Sequence, residues 1–364
     1  MKYNKAYKYR IYPNKSQEEL IHKTFGCTRF VFNQILGKAK EIYELEKKNK
    51  IITPATLKKE FEFLKEVDSL ALANSQLNVR TSFSNFFNKR AKFPKFKSKK
   101  NARKSYTTNN VNNSIRFENN KLKLPKIGYI KIKLHRLIPE DYRLKAVTVS
   151  QEPNGAYYVS ILTEFEDHIE PVSIDNKIVG LDFSMKELFV SSDNQRADYP
   201  RFFRKLESKL AKEQRVLSRR KKGSNNWHKQ KKKVASIHQK IKNSRKDFLH
   251  KLSSELIEKY NAISIETLNM KGMSQALKFG KSVSDNGWGI FTSMLQYKAM
   301  FTGKTIVKID KWFPSSKTCS FCGAIKSDLK LSDRTFVCEC GFSLDRDYNA
   351  SINIKNEGLN LLAV

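Results

Sequence analysis

The sequence has no long apolar run, and no stretch approaches the ~18 consecutive apolar residues that a membrane-spanning helix requires. Its first residues, MKYNKAYKYR, lack the apolar segment of a secretory signal, so we expect an intracellular protein. Acidic residues are also few, because 36 Asp and Glu stand against 70 Lys and Arg and leave a formal charge of +34. This excess predicts a polyanionic partner. Nucleic acid is favoured over a membrane surface because the charge is not confined to one amphipathic helix.

Cysteine is rare as well, with five residues among 364, which excludes a disulfide-rich scaffold. Disorder throughout is excluded, because 39% of the residues are hydrophobic and 24 are Phe. A chain of this length predicts about two domains of ~150 residues each. Cys27 recurs at helical spacing with Leu20, Thr24 and Val31, so we interpret it as a buried apolar side chain.

The other four cysteines lie close together near the end of the sequence. They form a CxxC and a CxC: Cys319 and Cys322, then Cys338 and Cys340. Two close pairs of thiolates predict a structural zinc site, and the glycine after each pair, Gly323 and Gly341, permits the tight backbone of a zinc knuckle. The second pair has one residue between its cysteines where most ribbons have two, and no nearby histidine offers a substitute ligand. A site with four protein ligands is closed, so this zinc would stabilise the fold rather than catalyse.

Hydrophobic periodicity divides the first half of the chain into three parts. Residues 1–12 alternate and predict a strand, after which helical spacing continues to about residue 90. From residue 105 to 166 the period changes to two, which predicts a small antiparallel barrel or sheet into which the first strand could insert. An acidic, turn-rich stretch at 166–176 then predicts a domain boundary.

The second half alternates strand and helix patterns, which predicts a mixed sheet. Strand patterns occur at 178–182, 187–191, 262–265 and 305–309. Between the second and third of these, residues 200–260 have the apolar spacing of a long helical hairpin with its turn near Gly223.

Two stretches carry an unbalanced positive charge. Lys89–Lys104 contains nine Lys and Arg, no acidic residue, and the aromatic residues Phe93 and Phe96. Arg201–Lys251 contains 19 Lys and Arg against three acidic residues. Cations for phosphates together with aromatic faces for bases favour nucleic-acid binding over a solvated charged surface.

Three carboxylates occupy positions that differ from ordinary surface acids. Asp182 ends the apolar strand IVGLD, Glu266 ends ISIE, and Asp347 begins the helical pattern DRDYNASINI. Acids at strand ends can converge at one edge of a sheet and gather the charge that two divalent ions about 3.5–4 Å apart require. The three residues therefore predict a site for phosphodiester hydrolysis.

Several of these segments resemble one known family. GLDFS at 180–184, IETLNMKGM at 265–273 and the run from CSFCG to DRDYNASINI are similar to the RuvC-like core and zinc ribbon of the TnpB family, which insertion sequences encode. FGCTRFVFNQIL and FPKFKSKK extend the resemblance to nearly the whole chain. The resemblance implies that Asp182, Glu266 and Asp347 bind two Mg²⁺ ions as a nuclease triad. Asp345, two residues before Asp347, is an alternative candidate for the third position, and we place it outside the triad.

The resemblance also implies an α/β fold, α+β overall, with four parts. Residues 1–12 and 105–170 would form a wedge-like β-barrel domain, into which residues 13–104 insert a helical nucleic-acid recognition domain. Residues 171–315 and 342–364 would form an RNase H-like, RuvC-type nuclease domain that includes the basic hairpin at 200–260. Residues 316–341 would form the zinc ribbon.

The activity implied is RNA-guided cleavage of DNA. The family uses a non-coding RNA from the end of its element as a guide and cuts double-stranded and single-stranded DNA next to a short motif that the protein reads. We expect a prokaryotic, cytoplasmic, nucleoid-associated protein that acts as a monomer with its RNA. The alternatives are a guided DNA-binding repressor that does not cut, which the three intact acids disfavour, and a zinc-ribbon RNA-binding protein, which leaves those acids unexplained. A transposase that joins DNA ends is favoured least.

Overall fold

A computed structural model of the chain describes residues 1–47, 51–100, 103–174, 177–270, 272–273, 285–330 and 332–363. The helical domain, the basic stretch, the boundary segment, the nuclease domain and the zinc ribbon predicted above each include residues outside this set, and the longest run of them, 274–284, belongs to the predicted nuclease domain. The chain forms two compact units, Met1–Asp167 and His168–Val364, and each mixes helices with a sheet, as the predicted α/β class requires. No helix in these ranges is both long and apolar enough to cross a bilayer.

The N-terminal unit contains a seven-stranded sheet. Its strands are β1 (Lys2–Tyr12), β2 (Ser105–Asn109), β3 (Arg116–Glu118), β4 (Lys121–Leu124), β5 (Gly128–Lys133), β6 (Arg143–Gln151) and β7 (Tyr157–Glu166). They follow the order β2-β6-β7-β1-β5-β4-β3, and all neighbours are antiparallel. The first strand therefore inserts into the later sheet, as predicted. Strands from both halves of the sheet contribute to one hydrophobic core, which a curved, barrel-like sheet allows.

Helices separate β1 from β2 in the sequence. They are α1 (Lys15–Glu46), α2 (Pro54–Glu60), a 3₁₀ turn (Glu62–Lys65) and α3 (Ser69–Phe87). Asn14 begins α1, because its side chain accepts the Gln17 N–H while the Gln17 side chain accepts the Asn14 N–H. Cys27 is 7% exposed in the core between these helices, which confirms its interpretation as an apolar side chain.

The C-terminal unit contains the predicted mixed sheet. Its strands are β8 (Ile178–Phe183), β9 (Phe189–Ser191), β10 (Ala262–Glu266) and β11 (Thr305–Ile309), in the order β11-β10-β8-β9. The first three in this order are parallel, and β9 is antiparallel to β8. A separate hairpin contains β12 (Thr335–Val337) and β13 (Ser343–Asp345).

Helices cover both faces of this sheet. They are α4 (Phe202–Ser218), α5 (Asn225–Lys259), α6 (Trp288–Met300) and α7 (Arg346–Ala363). Helices α4 and α5 form the predicted hairpin, and α5 and α6 pack against the strands in one core. Helix α7 lies against β8 on the opposite face. This arrangement leaves the carboxyl ends of β8 and β10 at one edge of the sheet.

Candidate active site and cysteine cluster

The ends of two neighbouring parallel strands bring Asp182 and Glu266 side by side. The last pair in register between β8 and β10 is Leu181 opposite Ile265. Asp182 and Glu266 are the next residues of their strands, which run about 4.8 Å apart in a sheet. Side chains alternate along a strand, and Leu181 and Ile265 lie in the core with α5 and α6. The two carboxylates therefore point to the face that α7 covers.

The backbone of α7 contacts β8 directly. A Cβ on Gly180 would lie 2.1 Å from the Ser351 carbonyl oxygen, so only glycine fits at this strand position. Farther along the helix, a Cβ on Gly358 would lie 3.8 Å from Ile178 Cδ1, at the start of the same strand. Helix α7 thus runs back along β8. Its first turn, which holds Asp347, lies at the edge with the two strand-end carboxylates.

Burial affects the pKa of two of these carboxyl groups, and like charges add to its effect on Asp182. Burial raises the pKa of Asp182 well above its usual value, and the negative charges of Glu266 and Asp347 raise it further. Burial also raises the pKa of Glu266, although a hydrogen bond from Ser315 Oγ, 2.5 Å from Glu266 Oε1, opposes this rise. Carboxylates that repel one another become favourable neighbours once cations bind between them. The donor set, all carboxylate oxygen, fits Mg²⁺.

Asp345 and Asp347 have different surroundings. The Asp347 side chain is 20% exposed, and Arg346 Nη2 lies 3.3 Å from its Oδ1. Asp345 accepts the Tyr348 backbone N–H at 3.0 Å in the first turn of α7, and it pairs with Arg196 Nη2 at 3.0 Å. These are the contacts of a helix cap and an ion-pair partner. The placing of Asp345 outside the triad stays a prediction.

Three polar residues that the sequence analysis missed tie the segment after β11 to the site. Ser315 is buried and donates to Glu266, while its carbonyl oxygen accepts from Asn353 Nδ2 at 2.8 Å. Asn349 Nδ2 donates to the Thr318 carbonyl oxygen at 2.7 Å. Asn349 and Asn353 are four residues apart and lie on the buried face of α7, where apolar side chains are the rule. That exception to the helical pattern was the signal available in the sequence.

The four cysteine sulfurs converge at the end of this segment. All four lie within 4.8 Å of one another, with 3.9 Å between Cys319 Sγ and Cys340 Sγ and 3.6 Å between Cys322 Sγ and Cys338 Sγ. Four sulfurs about 2.3 Å from a tetrahedral zinc ion would be about 3.8 Å apart, so the cluster fits zinc. Burial raises the pKa of the Cys319 thiol, but N–H groups of Cys322 and Phe321 donate to the sulfur and bring the pKa to about 7.

The two cysteine loops close in the same way although one is a residue shorter. Gly323 N–H donates to the Cys319 carbonyl at 2.9 Å, and Gly341 N–H donates to the Cys338 carbonyl at 3.0 Å. In each loop the first cysteine donates its own N–H at 2.8 Å to the residue after the glycine. Both glycines have positive φ, 78° and 87°, which other residues rarely adopt. The CxC spacing therefore retains the backbone of a knuckle.

In the N-terminal unit, cations and exposed aromatic rings lie together. Lys40 Nζ of α1 lies 5.1 Å from the ring centroid of Phe93 and 4.9 Å from that of Phe96. These rings are 43% and 57% exposed. Asn33 exchanges two hydrogen bonds with the Lys97 backbone, of 2.8 and 2.9 Å, and so holds this basic segment on α1. The surface offers both charge and ring faces to a nucleic acid.

The α4–α5 hairpin presents a second basic surface. An apolar seam joins the two helices through Leu210, Val234, Ile237 and Ile241. The lysines on α5 that are exposed include Lys229, Lys231, Lys232, Lys233, Lys240 and Lys242. Positive side chains on the outside of an apolar seam provide the electrostatic surface that a phosphate backbone requires.

Three family models match the chain. Residues 1–48 match a model described as "Helix-turn-helix domain", residues 160–277 match "Probable transposase", and residues 288–354 match "Cas12f1-like, TNB domain". The first match falls on β1 and the single long helix α1 rather than on two short helices. The third contains the cysteine cluster and Asp347.

Relatives match over nearly the whole chain. "Putative RNA-guided DNA endonuclease" of Streptomyces pristinaespiralis is 37% identical over 98% of this chain and 89% of its own length. "Putative RNA-guided DNA endonuclease InsQ" of Escherichia coli (strain K12) is 31% identical over 100% of this chain and 94% of its own. The protein in "Cryo-EM structure of the Cas12f1-sgRNA-target DNA complex" shares the fold, with a TM-score of 0.63 at 14% identity over 98% of this chain and 99% of that one. The chain therefore belongs to the TnpB family of proteins from insertion sequences, as its motifs predicted.

Proposed function

We propose that the protein is an RNA-guided DNA endonuclease that hydrolyses phosphodiester bonds of target DNA with two divalent metal ions. One observation carries the proposal: carboxylates from three distant segments, Asp182, Glu266 and Asp347, meet at one sheet edge, where burial and the charges of the other two raise the pKa of Asp182. Such a cluster is unfavourable by itself, but it suits Mg²⁺, which prefers carboxylate oxygens. The names of the relatives at 37% and 31% identity support the same activity.

Each residue of the cluster has a distinct role in this proposal. Asp182, Glu266 and Asp347 hold the ions, which when bound supply an activated water and stabilise the leaving oxygen. Ser315 fixes the rotamer of the Glu266 carboxylate through its hydrogen bond. Arg346 offsets part of the negative charge around Asp347. The cysteine cluster binds one structural Zn²⁺ and anchors the segment that carries Ser315.

The basic surfaces would bind the guide RNA and the DNA. A guide duplex is held through its backbone and A-form shape rather than its base identity, which requires an extended positive surface. Lys40 with Phe93 and Phe96 in the N-terminal unit, and the α5 lysines in the C-terminal unit, supply such surfaces. We assign reading of the flanking DNA motif to the helices before residue 90. We place the protein with cellular DNA, in the prokaryotic nucleoid, as a monomer with its RNA.

The test is guided cleavage by the complete complex. The protein is expressed with the transcript that overlaps the end of its own gene, and the complex is purified with its RNA. A plasmid carrying the guide-matched target beside randomised sequence is then incubated with the complex and Mg²⁺. We expect cleavage of a subset of plasmids, and the sequences lost from the library give the flanking motif.

Two variants decide between cutting and binding. Asp182→Asn should bind the same target without cutting it, whereas Glu357→Gln, an acid on α7 ten residues beyond Asp347, should cut like the wild type. Guided binding by the wild type without cleavage would show that the protein is a guided repressor and not a nuclease. A protein that retains no RNA would contradict both functions.

A further inference from the structure

One short segment with an exposed aromatic side chain is anchored at both ends beside the carboxylate site. The segment runs from Asp310 to Ser315 and leaves the sheet at the end of β11. At its start, Thr267 Oγ1, one residue beyond Glu266, donates to the Ile309 carbonyl at 2.8 Å. At its end, Ser315 donates to Glu266 itself. Both ends of the segment are therefore fixed beside the same carboxylate.

Trp312 lies in the middle of this segment and is 79% exposed. Its Cα is within about 10 Å of the Ser315 Cα, because three residues span at most ~3.3–3.6 Å each. The turn that presents it is ordered: the Trp312 N–H donates to Asp310 Oδ1 at 2.7 Å. Lys311 Nζ lies 4.7 Å from the indole centroid and places a positive charge on the same site.

A second exposed ring, Phe321, belongs to a segment that is bonded to α7. Among the large hydrophobic side chains of the described residues, Trp312 and Phe321 are the two most exposed aromatic ones, at 79% and 76%. Phe321 follows Ser320, whose N–H donates to Asn349 Oδ1 at 3.0 Å, two residues beyond Asp347. Both rings are thus tethered to segments that carry proposed metal ligands.

We propose that Trp312 is a stacking platform that positions an unpaired base of the DNA strand that is cut. Bases in a duplex already stack on one another, and only an unpaired base offers its face to an indole. Lys311 would contact the adjacent phosphate. The proposal rests on the nuclease function above and adds a positioning residue for the strand that Asp182 and Glu266 would act on.

Tryptophan fluorescence tests the contact without cleavage. The chain has three Trp, of which Trp288 is buried at 2% exposure and Trp227 lies on the α4–α5 hairpin. The guide-bound Trp227→Phe protein should be quenched when a single-stranded oligothymidine is added, because the stacked base quenches the Trp312 indole. The guide-bound double variant Trp227→Phe/Trp312→Phe, whose remaining Trp288 is buried, should lose most of that quenching. Equal quenching in both proteins, or none in Trp227→Phe, would overturn the proposal.

Cleavage kinetics test the role. Trp312→Leu keeps an apolar side chain but removes the aromatic face, and we expect about tenfold slower guided cleavage, within the range of one lost base–aromatic stack. Trp312→Phe should restore most of the rate. A Trp312→Leu complex that cuts at the wild-type rate would overturn the proposed stacking role of Trp312 and leave the proposed nuclease function standing. A wild type that binds its target and never cuts would instead overturn the nuclease.

Discussion

The carboxylate cluster and the cysteine cluster lie in the same unit and share the segment that joins them, but they are built in opposite ways. The cysteines come from one stretch, 319–340, and two similar loops bring their sulfurs together. The carboxylates come from positions 182, 266 and 347, and they meet only after the sheet and α7 have packed. Four sulfurs saturate a zinc ion, whereas three carboxylates leave positions for water and substrate. Ligands from one short stretch of chain suit a closed structural site, and ligands from distant segments suit a site that stays open to substrate.

The largest expected effect separates chemistry from binding at the carboxylates. Asp182→Asn keeps the shape of the side chain and removes its charge, so guided cleavage should fall by roughly 10³-fold or more, a loss at least as large as that of a transition-state donor. Target binding by the guide complex, measured by gel shift, should change less than about twofold. Retained cleavage would show that the carboxylate cluster is not the nuclease site.

Loss of a cysteine should remove zinc and, through the shared segment, reduce cleavage. Cys322→Ser should lower the zinc content, measured by mass spectrometry, from one ion per chain to near zero. Cleavage should fall by roughly 10- to 100-fold, as for other changes around a metal centre, because Ser315 and Asn349 lose their fixed partners. Cys27→Ala, which changes the cysteine outside the cluster, should keep its zinc. Full zinc content in Cys322→Ser would refute the site.

Because the carboxylates meet only when α7 packs on the sheet, substitution of the β8 glycine at that contact should destabilise the fold. Gly180→Ala places a Cβ against the Ser351 carbonyl of α7, so the helix must move, at a cost of about 1–3 kcal/mol in unfolding free energy. Gly289→Ala is the matched control, because a Cβ there meets nothing within 4 Å, and alanine favours the helix. Urea unfolding of the two variants should move in opposite directions. An unchanged midpoint for Gly180→Ala would mean that α7 does not pack on β8 as described.

The raised pKa of Asp182 gives a pH test of the metal-free cluster. An acid whose pKa is higher in the folded than in the unfolded protein binds more protons when folded, so its ionisation destabilises the fold as pH rises. Asp182→Asn should therefore raise the Tm of the metal-free protein at neutral pH, and this gain should shrink as the pH falls and vanish below about pH 3, where the unfolded carboxyl is also protonated. Mg²⁺ should raise the Tm of the wild type more than that of the variant. A lower Tm for Asp182→Asn at neutral pH would contradict the mutual repulsion.

The smallest effect distinguishes the two neighbouring aspartates. Asp345→Ala removes a helix cap and should cost about 1 kcal/mol in unfolding free energy, with cleavage retained within about tenfold. Asp345→Asn should be milder still, because asparagine also caps helices. Asp347→Asn in the same assay should cut no better than Asp182→Asn. Equal losses for Asp345→Asn and Asp347→Asn would add Asp345 to the metal ligands.

The sequence predicted the residues of both clusters, but not what holds the carboxylates in place. Cysteine spacing is a local property, so Cys319 to Cys340 could be assigned from the printed chain alone. Strand ends made Asp182 and Glu266 candidates, and the family resemblance selected Asp347 over Asp345. The hydrogen bond from Ser315 to Glu266 joins residues 49 positions apart. The contact of Gly180 with Ser351 joins residues 171 positions apart, and no local sequence pattern encodes contacts of either kind.

The most direct test of the account is anomalous X-ray scattering from crystals of the guide complex grown with Mn²⁺ in place of Mg²⁺. The account predicts manganese peaks about 2.0–2.2 Å from oxygens of Asp182, Glu266 and Asp347, and a zinc peak about 2.3 Å from all four sulfurs. Manganese absent from the carboxylates, with zinc present at the cysteines, would contradict the two-metal nuclease site and leave only the structural one.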